Sequence, residues 1–193
     1  MTLTLINLPT RLESLLQVSL GGRAVSLDIG VFGLGPLESR RFLDLTSAEW
    51  DSQISVVRET CLQAGAVVRE AMSAGRGARI VFLASTAAVR AIPGATLSGV
   101  SGAFMTTMGQ VAGIELAVRD ITFNTLVAGW LEENSPKSII DAIPAGRWLK
   151  HSELAGIIDF LASPVASYIT GSTLVVDGGF SVSKVSGGSP LLS

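Results

Sequence analysis

Few side chains in this sequence can move a proton or attack a carbonyl group. The chain contains one histidine, one tyrosine and one cysteine. General acid–base catalysis needs a group that titrates near the working pH, and the candidates are His151, Glu132, Glu133 and, as a hydroxyl, Ser85. A serine hydrolase is disfavoured, because the sequence has no Gly-x-Ser-x-Gly elbow and a single histidine.

The remaining reactive residues are interpreted as structural. The lone cysteine, Cys61, excludes an internal disulfide framework, and the lone histidine, His151, excludes a His-rich metal site. We therefore predict no metal centre. Tyr168, the single tyrosine, stands in the stretch SPVASYITG and is a weak candidate for a catalytic acid. Trp130 follows a glycine, where a large aromatic ring packs more often than it lines a cleft.

Length and charge limit the classes of protein to consider. A chain of 193 residues is long enough for one well-cored domain. Its 14 basic and 16 acidic residues give a net charge of −2 without a basic cluster, which argues against a nucleic-acid partner. Only 16% of the residues are charged and the mean hydropathy is +0.51. This apolar composition favours an oligomer in which other subunits cover much of the surface.

The N-terminal residues lack a basic segment followed by a long apolar run, so we expect no secretory signal and a cytoplasmic protein. Residues 91–114 carry no charge, but a proline, five glycines and several Ser and Thr residues make them a poor membrane span. Small residues at helical spacing favour close helix packing instead. We therefore predict no membrane insertion.

Strand and helix patterns alternate along the chain. Thr46 and Glu49 form a capping-box pattern that starts a long helix. This alternation, with continuously apolar strands, predicts an α/β fold with a Rossmann-like doubly wound parallel sheet. We find no internal linker and predict one domain, 1–193, with a Ser/Gly-rich tail at 181–193. The predicted strands are 2–8, 24–32, 79–83, 122–128 and 172–176, and the predicted helices are 11–20, 46–73, 98–118 and 153–161.

Residues 78–180 resemble the short-chain dehydrogenase/reductase family almost element by element. The stretch ARIVFLASTAAVRAIPGATLSGVSGAF is similar to the family's strand, catalytic serine, loop and catalytic helix, which usually ends in a variation on "PGxxxYSASKAA". The match places Ser85 at the serine position. Reading on from the Pro-Gly pair, we assign the family's catalytic tyrosine and lysine positions to Leu97 and Ser101.

Two later blocks extend the resemblance. ITFNTLVAGWLEE is similar to the family's "IRVNxVxPGxxxT", with Asn124 and Gly129 in place. Ala128 stands where a proline is usual, and Glu132 lies near the usual threonine. Residues 146–180 are close to the family's C-terminal signature over their whole length. The resemblance therefore implies the family's Rossmann-like fold.

The resemblance also implies a dinucleotide site, but the usual glycine loop is missing. In the family the first strand leads into a "TGxxxGIG" loop, whose backbone amides approach the pyrophosphate. Here the first predicted strand leads into Leu8-Pro9-Thr10-Arg11. The nearest Gly-x-Gly, Gly33-Leu34-Gly35, stands at the family's "NNAG" and is better interpreted as a turn. We therefore interpret 1–32 as a remodelled part with fewer β-α units, and expect no cofactor bound by this chain.

The family's chemistry depends on side chains that this sequence lacks. A tyrosine exchanges a proton with the substrate oxygen, a lysine lowers the pKa of that tyrosine, and a serine orients the carbonyl. Leu97 and Ser101 cannot replace the first two. A fourth family residue, an asparagine in the preceding helix, falls near Val57 or Arg58 and is also absent.

Together these losses predict a non-catalytic subunit. It would assemble in a hetero-oligomer with an intact, NAD(P)-dependent paralogue of the same family, and the partner would bind the NAD(P)H. Two alternatives stay open. One is an atypical active oxidoreductase, or another enzyme such as a lyase or isomerase, that uses the retained cleft, and the other is a small-ligand binding protein.

Overall fold

The computed structural model describes residues 3–6, 8, 16–17, 27–35, 39–132 and 137–183. Within these residues the strands form one sheet in the spatial order β1-β2-β3-β4-β5, and every neighbouring pair is parallel. The predicted α/β fold with a parallel sheet is confirmed. The strands are β1 (Leu3–Ile6), β2 (Leu27–Phe32), β3 (Gly77–Ser85), β4 (Ile121–Ala128) and β5 (Thr173–Val176).

The described helices that connect these strands are α1 (Ser47–Ser73), α2 (Thr96–Leu116) and α3 (His151–Leu161). α1 begins at the predicted capping box. The Glu49 N–H donates to Thr46 Oγ1 at 3.3 Å, and the Thr46 N–H donates to Glu49 Oε2 at 2.8 Å. The bond from the Thr46 amide is the main reason why the pKa of Glu49 is lowered. The capping box thus satisfies two amides that the first turn would leave unpaired.

Helices cover both faces of the sheet. On one face, α1 and α2 pack over a core that contains Phe32, Phe82 and Phe123, whose neighbouring rings meet edge to face at centroid distances of 6.2 and 5.5 Å. On the other face, α3 packs with Leu16 against side chains of β2, β3 and β4. Coverage of both faces is the doubly wound arrangement that the sequence predicts.

Two ion pairs hold the edge of the sheet where the strands begin, here called the amino edge. Arg76 Nη2 donates to the buried Asp28 carboxylate at 2.7 Å. Arg79, whose side chain is 2% exposed, donates to the carbonyl oxygen of Asp120 at 2.8 Å and to its carboxylate at 3.0 Å. Because these residues stand at or near the starts of β2, β3 and β4, the pairs fix the three strands at that end.

Some element bounds differ from the predictions. The strand predicted at 79–83 extends over Gly77–Ser85, because its flanking residues also pair with β4. Of the helix predicted at 11–20 the structure describes only Leu16 and Gln17, which are helical. Of the tail at 181–193 it describes only 181–183. None of the described helices is long and apolar enough to cross a membrane.

Candidate active site

The carboxyl ends of the parallel strands meet at one edge of the sheet, where ligands bind in this fold class. Gly33 follows β2, Ser85 ends β3, Gly129 follows β4 and Asp177 follows β5. Gly129 touches its neighbour closely, since a Cβ on this glycine would lie 2.9 Å from the Cα of Asp177. These four positions define the surface that we call the carboxyl edge.

Ser85 is exposed at the carboxyl edge, at the end of β3. Its Oγ accepts a hydrogen bond from the Ala87 N–H at 3.0 Å and so caps the short 3₁₀ turn Thr86–Ala88. A serine hydroxyl can accept and donate at the same time. Among the described residues no acceptor is bonded to the Ser85 O–H, so this donor is available to an oxygen atom in the cleft.

Leu97 and Ser101, the residues assigned above to the tyrosine and lysine positions, lie in the first two turns of α2. Leu97 is half-buried. Ser101 is buried, and its Oγ accepts a hydrogen bond from Gln53 Nε2 of α1 at 2.9 Å. The Ser101 side chain therefore belongs to the interface between the two helices. Gln53 was not a sequence candidate; its signal is a polar residue one turn before Val57, on the buried stripe of α1.

A residue-by-residue count of the family pattern moves both positions by one. In "PGxxxYSASKAA" the tyrosine is the fourth residue after the glycine, which is Ser98 here, and the lysine four residues later is Gly102. Neither assignment provides a tyrosine or a lysine. A Cβ on Gly102 would lie 2.6 Å from the Cβ of Ala88. A lysine therefore does not fit at this position unless the turn 86–88 shifts.

The predicted loss of the family's asparagine has a clear structural setting. Val57 is buried, with 2% of its surface exposed, and Arg58 is exposed on the outside of α1. The nearest side-chain amide, Gln53, lies one turn earlier and is bonded to Ser101. Of the family's four catalytic positions, the hydroxyl of Ser85 is the one that keeps its chemistry.

A cluster of two aromatic rings and a cation stands at the carboxyl edge. The rings of Trp130 and Phe180 meet edge to face with centroids 4.5 Å apart, and the guanidinium carbon of Arg90 lies 4.3 Å from the Phe180 ring centroid. This contact agrees with the packing role predicted for Trp130. Arg90 was missed by the sequence reasoning, although it is the only charged residue between Arg79 and Glu115.

A cavity of about 230 Å³ opens beside Trp130, between the ends of β4 and β5 and the segment 143–157. Arg147 donates to both carboxylate oxygens of Glu153, at 2.7 and 2.8 Å, and the Lys150 N–H donates to the same carboxylate at 3.0 Å. Chiefly because of the Arg147 bonds, the pKa of Glu153 falls to about 2. Glu153 is therefore a carboxylate at neutral pH and not a proton donor.

The other predicted candidates do not assemble at the carboxyl edge. His151 is buried as the first residue of α3, and Glu132 is exposed just beyond β4. Glu133 lies outside the described residues. Tyr168 is fully exposed and precedes β5, at the amino edge of the sheet. Burial raises the pKa of the Cys61 thiol to about 11, and the described residues hold no group of three or more His, Cys, Asp or Glu side chains suited to a metal ion.

The glycines after β2 form a turn, as predicted. The Gly33 N–H donates to the Ile6 carbonyl oxygen at 2.8 Å, which continues the pairing with β1. Gly35 has a φ of +71°, in the left-handed region that favours glycine, and a Cβ there would meet no atom within 4 Å. Residues 9–15, where the loop after β1 begins, lie outside the described residues.

The described fold and its carboxyl edge define a protein of the doubly wound α/β class, whose ligands lie where the strands end. A profile of the family described as enoyl-(acyl carrier protein) reductase matches residues 18–181. Together with its relatives and structural neighbours, this match shows that the chain belongs to the short-chain dehydrogenase/reductase family.

Three relatives illustrate the likeness. Human dehydrogenase/reductase SDR family member 4 is 33% identical over 148 residues, which cover 71% of this chain and 53% of the relative. The 2-dehydro-3-deoxy-D-gluconate 5-dehydrogenase of Escherichia coli K12 is 28% identical, with coverages of 80% and 65%. A structure from Agrobacterium tumefaciens, assigned as a 2-deoxy-d-gluconate 3-dehydrogenase with bound NADP, has a TM-score of 0.74 at 23% identity and coverages of 89% and 74%. The chain thus spans 53–65% of the length of these two curated relatives.

These relatives overturn two predictions. The prediction of a non-catalytic subunit is wrong, because the relatives are named as dehydrogenases and reductases. The prediction that this chain binds no cofactor is also wrong, because members of the family carry the nicotinamide cofactor themselves, as the NADP-bound neighbour does. Both predictions equated the loss of the tyrosine and lysine with the loss of function, whereas the hydride is supplied by the cofactor. The predicted pairing with a paralogue stays a prediction.

Proposed function

We propose that this chain is an atypical oxidoreductase that interconverts a carbonyl compound and an alcohol with NAD(P)(H). The observation that carries the proposal is the hydroxyl of Ser85, which ends β3 at the carboxyl edge with its O–H available. Membership of a family of dehydrogenases and reductases supports the choice of reaction.

The nicotinamide end of the cofactor fits the carboxyl edge beside Gly33, Ser85 and Gly129. Two features support this fit: Gly33 has no side chain, and a Cβ on Gly35 would meet nothing within 4 Å. When bound, a reduced nicotinamide supplies a hydride to a carbonyl carbon. The protein's own residues then have to orient the carbonyl and stabilise the oxygen as it becomes an alkoxide.

Ser85 would donate its O–H to that oxygen, while Trp130 and Phe180 wall the same edge. The alkoxide also needs a proton. Since Ser98 and Gly102 provide no acid, water at the open edge is the proton source in this proposal. A missing general acid costs about 10²–10⁴ in rate. We therefore expect slow turnover with an otherwise normal stoichiometry of one hydride and one proton per carbonyl.

A titration of the chain with NADH and with NADPH tests the proposal first, followed by reduction of a carbonyl panel monitored through loss of the reduced nicotinamide. We expect saturable binding of one of the two cofactors and slow, carbonyl-dependent oxidation. Ser85→Ala should lower turnover without abolishing cofactor binding. Absence of saturable binding for both cofactors contradicts the proposal.

A further inference from the structure

Arg90 is a cation placed next to the catalytic hydroxyl of the proposed reaction. It is the only charged residue in the stretch 80–114, and it directly follows the turn that Ser85 caps. The Arg90 backbone N–H donates to the Thr86 carbonyl oxygen at 3.0 Å, which ties its position to that turn. The Arg90 side chain is half-buried at the carboxyl edge.

The guanidinium group of Arg90 is held in one place by the segment that follows β5. Its carbon lies 4.3 Å from the Phe180 ring centroid, and Nη1 donates both to the Phe180 carbonyl oxygen and to Ser183 Oγ. The Phe180 ring is in turn fixed against Trp130. A guanidinium stacked on an aromatic ring loses less freedom when it binds a ligand than a mobile one.

The charge of Arg90 is not neutralised within the described part of the chain. None of the ion pairs there involves Arg90. The nearest acid along the segment, Asp177, uses its two oxygens to accept the N–H groups of Gly179 and Ser181, at 2.9 and 2.7 Å. Both internal hydrogen bonds of Arg90 come from Nη1, so the donors on Nη2 and Nε have no acceptor among the described residues.

We propose that Arg90 binds an anionic group of the substrate, a carboxylate or a phosphate, and so selects carbonyl substrates that carry one. The inference rests on the proposed oxidoreductase function. A guanidinium presents its donors in a fork that matches two oxygens of either group. Partial burial strengthens the interaction, because solvent screens a half-buried charge less than an exposed one. The carbonyl that reacts would then lie between this anchor and Ser85.

Matched pairs of ligands test the inference by direct binding. Calorimetric titrations compare 4-oxopentanoate with its methyl ester, and dihydroxyacetone phosphate with dihydroxyacetone, in the presence and absence of NADPH. We expect one anion to bind about ten- to a hundredfold more tightly than its neutral partner, the range of a charge-assisted hydrogen-bonded contact. That preference should weaken as salt is added, whereas binding of the neutral partner should not.

Three variants separate charge from packing. Arg90→Gln should remove the preference for the anion and leave binding of the neutral partner within about twofold. Arg90→Lys keeps the charge without the fork and should retain part of the preference. Arg119→Gln, at an exposed residue near the amino edge, is the control and should match the wild type. Circular dichroism checks that each variant is folded.

Two results overturn the inference. One is equal affinity of the wild type for both members of each pair, including no measurable binding of either. The other is an Arg90→Gln variant that loses the charged and neutral ligands equally, which assigns the residue a packing role. Failure of the proposed function looks different: the chain would still prefer the anion but would neither bind NAD(P)H nor turn over.

Discussion

Gln53 Nε2 donates a 2.9 Å hydrogen bond to Ser101 Oγ across the interface of α1 and α2, where both side chains are buried. Ser101→Ala removes the acceptor and leaves a buried amide donor unpaired, which costs about 1–3 kcal/mol of unfolding free energy. Urea denaturation followed by circular dichroism measures the loss. The double variant Gln53→Leu with Ser101→Ala removes both partners and should recover most of it. A further additive loss in the double variant contradicts this account.

Ser85→Ala tests the hydroxyl at the end of β3. If Ser85 stabilises the alkoxide, kcat should fall about ten- to a hundredfold with little change in KM, because the bond is stronger in the transition state than in the ground state. Ser85→Thr keeps a hydroxyl and serves as the matched control. An unchanged kcat in Ser85→Ala, with a normal thermal midpoint, removes Ser85 from the mechanism.

A rebuilt acid tests whether the two missing side chains limit the rate. Ser98→Tyr with Gly102→Lys places the family's pair in α2, but the Cβ of Ala88 obstructs the new lysine. Adding Ala88→Gly relieves this overlap, which would otherwise cost about 1–3 kcal/mol. We expect the triple variant to reduce carbonyls about 10²-fold or more faster than the wild type. Stopped-flow or steady-state loss of NADPH fluorescence measures the gain, and a triple variant that folds but is no faster contradicts it.

The Arg147–Glu153 pair predicts a specific pH dependence of stability. Glu153 has a pKa of about 2 in the folded protein against an ordinary value of 4.5. A carboxyl whose pKa is lowered by folding stabilises the protein above about pH 4.5, and the contribution disappears as the pH falls towards 2. In Arg147→Gln the free energy of unfolding should therefore decrease less between about pH 5 and pH 3 than in the wild type. The exposed Arg58→Gln is the control, and identical pH profiles for all three proteins would contradict the effect.

Cys61 should react slowly with thiol reagents in the folded protein. Burial raises its pKa to about 11 from an ordinary 9.0, so the thiolate fraction at about pH 8 is roughly a hundredfold lower than for an unperturbed thiol. Alkylation with iodoacetamide should accelerate strongly when the protein is unfolded in urea. A folded-state rate equal to the unfolded rate contradicts this protection.

Local signals made most of the fold predictable. The Thr46–Glu49 pattern identifies the start of α1 because both partners of the capping box lie within one turn of the chain. The apolar strands identify the sheet because burial on both faces leaves no alternation to confuse with a surface strand. The ends of β3 were harder to place, since Gly77 and Ser85 extend the pairing beyond the apolar residues.

The site was only partly predictable, because its contacts join distant parts of the chain. Ser85 follows from a short pattern, but the contact between Arg90 and Phe180 spans 90 positions and exists only once β3 and β5 share an edge. The Gln53–Ser101 bond likewise depends on how two helices cross. A pattern can show that a tyrosine and a lysine are missing, but it does not show what the remaining edge of the sheet still binds.

The ion pairs Arg76–Asp28 and Arg79–Asp120 secure the three central strands at the end opposite to Ser85. Breaking a buried pair of this kind costs several kcal/mol, whereas most exposed substitutions cost little. The protein thus concentrates its anchoring at one end of the sheet and its chemistry at the other. Natural selection can therefore revise the reactive end, one side chain at a time, while the anchored end keeps the molecule folded.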